Sequence, residues 1–254
     1  MSNLVLAEEL AAIAREHNGI DATYHIITSF RQNVSTTVLD DLWEVAGVNA
    51  IPYPNGVQLA VVSSNANDTV LGTGIRQVML HYLDADYIEQ FEHIDLNGVT
   101  PVNTAATNIQ RILSLHAMLV GNNGVAVGNI TITNLAGTVT YDKITAGGNQ
   151  SLTGHFTIPA NKIGYVTGWQ ATSTKQTMSI RLRATRDRHN GDLLPGVFIF
   201  HDAVNLNNST SGQIRFTSFY KCQPKTDIKM SAIGTGAAGG DCSGSFAVIL
   251  VNKQ

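Results

Sequence analysis

The chain has 254 residues and a formal net charge of −3, and only 14% of its residues are charged, against about 25% in an ordinary soluble domain. This length accommodates one large all-β domain or two smaller ones, with core enough to need no staples. The balance excludes a polycationic nucleic-acid binder, and no apolar run reaches the ~20 residues that cross a bilayer. Two cysteines, Cys222 and Cys242, are too few for a disulfide scaffold and read as free thiols. Asn, Thr, Ser and Gly take the place of the missing charges. A surface of neutral polar groups suits a protein packed against other proteins.

In residues 2–19, Leu6, Leu10 and Ile13 recur at spacings of four and three, on one face of a helix. Ser2 or Asn3 caps its start, Glu8 and Glu9 complement the positive end of its dipole, and His17-Asn18-Gly19 stops it. The pattern predicts a short amphipathic N-terminal arm, residues 1–20. Its apolar stripe docks either on its own core or on a neighbouring subunit, so Leu6, Leu10 and Ile13 are interface candidates.

Residues 24–30 read as a strand, and residues 35–47 as a capped helical turn with Leu42, Trp43 and Val45 inward. A Pro-punctuated loop and a strand at 57–62 follow. Two apolar runs, 75–83 and 87–96, flank Leu83-Asp84-Ala85-Asp86 and predict a β-hairpin. Residues 104–120 are two-sided. Ile109, Ile112, Leu113 and His116 fit a helix face, while Arg111, Leu113, Leu115, Ala117 and Leu119 fit strand alternation. The hairpin-like segments on both sides favour the strand. Another hairpin is expected around Ala136-Gly137. Gly147-Gly148-Asn149 marks the boundary between a first β domain (21–148) and a second (149–254).

The second domain reads as seven short strands separated by Pro, Gly, Asn and Ser clusters, the pattern of a sandwich. Trp169 and Phe198 are its candidate core aromatics. Residues 246–251 are apolar throughout, which predicts a central strand buried on both faces. The expected fold is therefore all-β: two β-sandwich-like halves, the second jelly-roll-like, with a short N-terminal amphipathic helix.

Few residues look like chemistry. Gly240-Asp241-Cys242-Ser243-Gly244 resembles the nucleophile turn of chymotrypsin-like cysteine proteases. Only 12 residues follow Cys242 in the 254, one strand's worth, where such an enzyme still needs several strands. The glycine-rich loop is better read as feeding the last strand. Eight histidines are scattered with no His-x-His, His-Glu-x-x-His or Cys-x-x-Cys spacing. His81 and His93 are expected to face each other across the hairpin as a polar pair. Asp84, Asp86 and Asp95 lack the EF-hand pattern. Gly72-Thr73-Gly74 has no following Gly-Lys-Ser/Thr and is no phosphate loop. The densest basic run spans residues 181–188. Its alternation places Arg181 and Arg183 on one strand face, as a solvated face or an intersubunit salt bridge, and adds them to the interface candidates. No catalytic residue, cofactor or metal site is assigned.

An ordered series of stretches resembles a family of tailed-bacteriophage virion proteins found in phages of aquatic bacteria. It begins with Phe30-Arg31, Asn33-Val34 and Leu42-Trp43-Glu44. Ser63-Ser64, Asn67-Asp68-Thr69 and Gly72-Thr73-Gly74-Ile75-Arg76 follow. Next come Leu83-Asp84, Tyr87, Asp95-Leu96-Asn97-Gly98 and Thr100-Pro101-Val102. The series continues with Gly128-Asn129-Ile130-Thr131-Ile132, Gln150, Ile158-Pro159-Ala160, Gly164-Tyr165, Thr167 and Arg181-Leu182-Arg183. It covers roughly residues 25–254; the N-terminal arm is outside it. The resemblance implies strands over 109–120. It also implies a non-enzymatic virion component, assembled in the host cytoplasm, that decorates or cements the capsid as a symmetric homo-oligomer, a trimer being favoured. The implied partners are the major capsid protein or other virion proteins, with no direct nucleic-acid or membrane contact. The alternative is a receptor- or glycan-binding adaptor of a fibre or tail ring, its site on loops 187–194 and 205–211.

Overall fold

The computed structural model describes residues 22–45, 47–175, 177–186, 194, 196–207, 210–236 and 239–253. Among these residues every regular element is a strand. In chain order they are β1 (Ala22–Arg31), β2 (Asp40–Asp41), β3 (Leu59–Ser63), β4 (Ile75–Asp84), β5 (Glu89–Asp95), β6 (Val102–Asn103), β7 (Ile109–Val120), β8 (Ile130–Asn134) and β9 (Thr140–Ile144). Then come β10 (His155–Thr157), β11 (Lys162–Ser173), β12 (Thr177–Ala184), β13 (Ile199–Asn207), β14 (Ser211–Cys222), β15 (Asp227–Gly234) and β16 (Cys242–Asn252).

The strands form four small sheets, ordered β1-β16-β11-β14, β10-β15-β12-β13 with β2 beside β15, β6-β3-β8-β9, and β5-β4-β7. This corrects the expected pair of sandwich-like halves, the second jelly-roll-like. Alternation shows which side chains turn inward, but it does not choose pairing partners. Here the first described strand, β1, joins the last, β16. The chain divides into two units. Of the described residues, one holds those up to Ser29, Asn33–Leu42 and those from Gly154 on. The other holds Phe30–Gln32 and Trp43–Thr153.

The predicted N-terminal helix, with Leu6, Leu10 and Ile13, lies outside the described residues. The predicted helical turn at 35–47 is corrected. Ser35 Oγ accepts from the backbone N–H of Thr37 and Val38, both at 3.1 Å, and Asp40 Oδ2 accepts from Ser35 N at 2.7 Å. Short polar side chains compete for backbone groups that a helix would use. The chain instead extends into β2, where Asp41 and Asp40 pair with Ser231 and Ala232. Leu42 and Trp43 are nevertheless fully buried.

Residues 109–120 are a strand, and β16 is central and largely buried, as its apolar run predicts. Residues 75–95 form the predicted hairpin. At its tip Tyr87 takes φ 63°. The Asp84 carboxylate accepts from the N–H of Asp86 and of Ile88 at 3.0 and 2.9 Å. A left-handed conformation is rare for a bulky residue, so the Asp84 bonds carry this turn. In the unit holding residues 43–153 one core gathers Leu59, Val61, Val78, Leu80, Ile94, Ile112, Leu115, Ile130 and Ile132.

Candidate interaction surface

The β5-β4-β7 sheet has two unlike faces. Val78, Leu80 and Tyr82 point into the core. The intervening residues Gln77, Met79, His81 and Leu83 point the other way, because successive strand residues alternate. Directly opposed residues share a face, so the register defines its rows. Gln77 stands between Asp95 and Leu119, and Met79 between His93 and His116. His81 stands between Phe91 and Ser114, and Leu83 between Glu89 and Arg111.

One end of this face is covered. Leu83 is fully buried and Arg111 nearly so. The Arg111 guanidinium lies 4.0 Å from the Tyr53 ring centre and 5.3 Å from that of Tyr87. In the middle, His81 Nε2 is 2.6 Å from Glu89 Oε1, and its ring stacks on Phe91 at 4.3 Å with 14° between planes. Phe91, in this middle row, stays 56% exposed, and at the far end Leu119 is 55% exposed. The register shifts between Gln77 and Val78 and between Ile75 and Gln77 leave Met118 and Val120 exposed beside Leu119. Burial, with smaller contributions from His81 and His93, pushes the His116 imidazole below its ordinary pKa. The exposed part of this face carries apolar and aromatic groups on a strand framework, with His93 and Asp95 exposed among them.

A second exposed apolar group is held next to the same strand end. Leu71 is 91% exposed in a loop built around Asp68. That buried carboxylate accepts from Ile75 N at 2.9 Å, Val127 N at 3.0 Å, Gly128 N at 2.8 Å and Ser63 Oγ at 2.6 Å. Gly74 is required here, because a Cβ would lie 2.0 Å from Asp68 Oδ1. The loop joins the end of β7 through Gly121 N donating to Gly74 O at 2.7 Å.

Arg183 donates to Asp41 Oδ1 at 2.8 Å and to Ser231 Oγ at 2.7 Å. Lys229 Nζ meets Asp41 Oδ2 at 2.7 Å and lies 3.9 Å from the centre of the Phe198 ring. Arg181 lies over Phe200. His93 faces Met79 rather than His81, which pairs with Phe91. Asp95 accepts from Gln77 Nε2 at 2.8 Å. Cys242 is buried, and burial pushes its thiol up to about 12. A nucleophilic cysteine needs its thiolate near neutral pH, so this burial tells against the protease reading, as the spacing does. Among the described residues no group of three or more His, Cys, Asp or Glu is placed to hold a metal ion. Most of loop 187–194 lies outside the described residues.

Sequence reasoning missed Phe91, Asp41 and the central role of Asp68. A lone Asp beside two closely spaced glycines was the available signal for Asp68. Asp41 and its partners gave none, because they are far apart in the chain.

No protein-family model and no curated protein matches this chain. Solved structures give weak matches. The structure of infectious bursal disease virus strain Gx is 10% identical, over 90% of this chain and 71% of that chain, with a TM-score of 0.27. VP17, a capsid protein of bacteriophage P23-77, is 7% identical over 92% and 99%, with a TM-score of 0.24. The infectious bursal disease virus VP2 subviral particle is 10% identical over 91% and 72%, with a TM-score of 0.24. These weak structural neighbours are viral capsid proteins, and at such TM-scores the likeness carries no argument about fold or function. The tailed-phage resemblance rests on the residues quoted for it.

Proposed function

We propose that this chain is a non-enzymatic structural component of a tailed-phage virion, a decoration or cement protein that bridges capsid subunits. The observation that carries the reading is the exposed part of the β5-β4-β7 face. Phe91 stacks there on an anchored His81, and Leu119 is exposed two rows further along. Aromatic and aliphatic groups held exposed on a stiff framework lose little entropy on docking and mark protein contact sites. The low charge of the chain and the buried state of Cys242 support the same reading.

The partner is the major capsid protein or another virion protein, met by a homo-oligomer, a trimer being favoured, that assembles in the host cytoplasm. A specific contact of this kind buries on the order of 1,000 Å². The face described here supplies part of that area, and the arm with Leu6, Leu10 and Ile13 supplies another part. Copy number per virion, from quantified gel bands, is the test. Hundreds of copies fit decoration, and about a dozen would replace this reading with a tail or portal ring. Particle incorporation unchanged by deletion of residues 1–19 would remove the arm from the contact.

A further inference from the structure

The unit holding residues 43–153 contains a carboxyl group placed where a charge is poorly tolerated. Asp142 on β9 pairs with Ile132 on β8 and is 1% exposed. Its Oδ1 accepts from Thr153 Oγ1 at 2.5 Å and from Lys143 N at 2.8 Å, and the Ser151 hydroxyl lies beside it. Its Oδ2 is buried and has no hydrogen-bond partner. The charged group that bears on it is a second carboxyl, Glu44, half-buried on the segment after β2. Glu44 accepts from the backbone N–H of Leu152 and Thr145 and is faced by the Lys143 ammonium.

Two neighbouring carboxylates in a buried site call for either a hard cation or a proton. A cation of the Ca²⁺ or Mg²⁺ type needs a shell of oxygen acceptors. This site offers the carboxyl groups donors instead: backbone N–H groups and the Thr153 hydroxyl. Each is already directed at a carboxylate oxygen, so a cation would meet the wrong end of each dipole. A proton on Asp142 removes the like-charge pair without disturbing any of them.

We propose that Asp142 is a proton-operated latch: protonated, it is a neutral core group that holds β9 and residues 150–153 in place; ionised beside Glu44, it loosens them. Burial, with Glu44 adding to it, pushes the Asp142 carboxyl up to about 6, and burial also raises Glu44. The sign follows from linkage. The folded state keeps a proton that the unfolded state gives up near 4, so stability falls as pH rises from about 4 to about 6 and then levels off. A raise from 3.8 to about 6 corresponds to an opening equilibrium on the order of 100-fold larger at neutral pH than at pH 4.

The test is hydrogen exchange of the full-length chain between pH 4.5 and 7.5, corrected for intrinsic rates, read at the amides of residues 140–144 and 150–153. Wild type should lose protection by more than tenfold, the fall levelling off near pH 6. Asp142→Asn, which cannot ionise, should show flat protection, and Glu44→Gln should move the levelling-off point to lower pH. Flat wild-type protection overturns the proposal, as does an Asn variant that keeps the pH dependence. Protection restored at pH 7.5 by millimolar Ca²⁺ or Mg²⁺ also overturns it, in favour of a cation site. Should Asp142→Asn not fold, the carboxyl carbon shift of Asp142 in the wild type decides: a titration midpoint below 4.5 sinks the latch.

Discussion

Arg183 on β12 donates to Asp41 on β2 at 2.8 Å, across 142 positions of sequence. The same carboxylate receives Lys229 Nζ at 2.7 Å and Ser231 Oγ at 2.8 Å. Asp41 is thus the anion on which two cations converge. Burial lowers the Lys229 pKa, and Asp41 opposes that shift. Removing one member of a buried ion group leaves the others uncompensated, at about 3–5 kcal/mol. Asp41→Ala should therefore lower unfolding free energy by about that amount in urea titration. Arg183→Ala should cost less, because its side chain is partly exposed.

Asp68 does comparable work in the other unit. Its carboxylate is the acceptor for three backbone N–H groups and the Ser63 hydroxyl. A buried donor left unsatisfied costs about 1–3 kcal/mol. Asp68→Ala should lose at least ~3 kcal/mol, and Asp68→Asn less, since one acceptor oxygen remains. Gly74→Ala should also destabilise, because its Cβ would collide with the carboxylate. Equilibrium unfolding of the three variants gives the ranking.

The docking face predicts a separation of stability from assembly. Phe91→Ser and Leu119→Ser remove exposed apolar area and should change unfolding free energy by only about 0.5 kcal/mol each. Incorporation into particles should fall at least about tenfold, as expected for truncated contact anchors. Normal incorporation of the double variant would move the contact elsewhere.

Both thiols should be inert in the native protein. Burial pushes Cys222 and Cys242 up to about 12, so neither supplies appreciable thiolate at pH 8. A thiol-directed reagent should label neither until denaturant is added. Labelling at the rate of a free cysteine would contradict this burial.

His116 gives a pH effect of the opposite sign to Asp142. Its pKa is lowered in the folded state, so the unfolded chain binds the proton more readily. Its contribution to stability is present above the ordinary imidazole pKa and is lost as pH falls through the folded value. Histidine ring NMR should place its midpoint below 6.5, and His116→Gln should remove that part of the acid dependence.

Local patterns made much of the strand content legible. The 75–96 hairpin follows from apolar runs around Asp-rich turn residues, and β16 from an unbroken apolar run. The resemblance and the flanking hairpins tipped residues 109–120 correctly, where periodicity left two readings. The turn at 35–47 was misread because a Ser and an Asp five residues apart cap an extended turn as readily as a helix start. Alternation places Arg181 and Arg183 on one strand face, as a solvated face or an intersubunit salt bridge; that Arg183 reaches Asp41, a residue no spacing rule connects to it, is visible only in the structure.

By itself the sequence determined that the described chain is strand-built, poor in charge and without a reactive cysteine motif in a fitting context. Those properties live in composition and in two-residue alternation, which act over a few neighbouring positions. Only the tertiary structure decided that β1 joins β16, that the strands divide among four sheets, and that Asp41, Asp68 and Asp142 are buried. Strand pairing and burial depend on contacts between residues tens to hundreds of positions apart. Each is settled by which apolar faces and backbone edges can be satisfied together, and no local pattern carries that information.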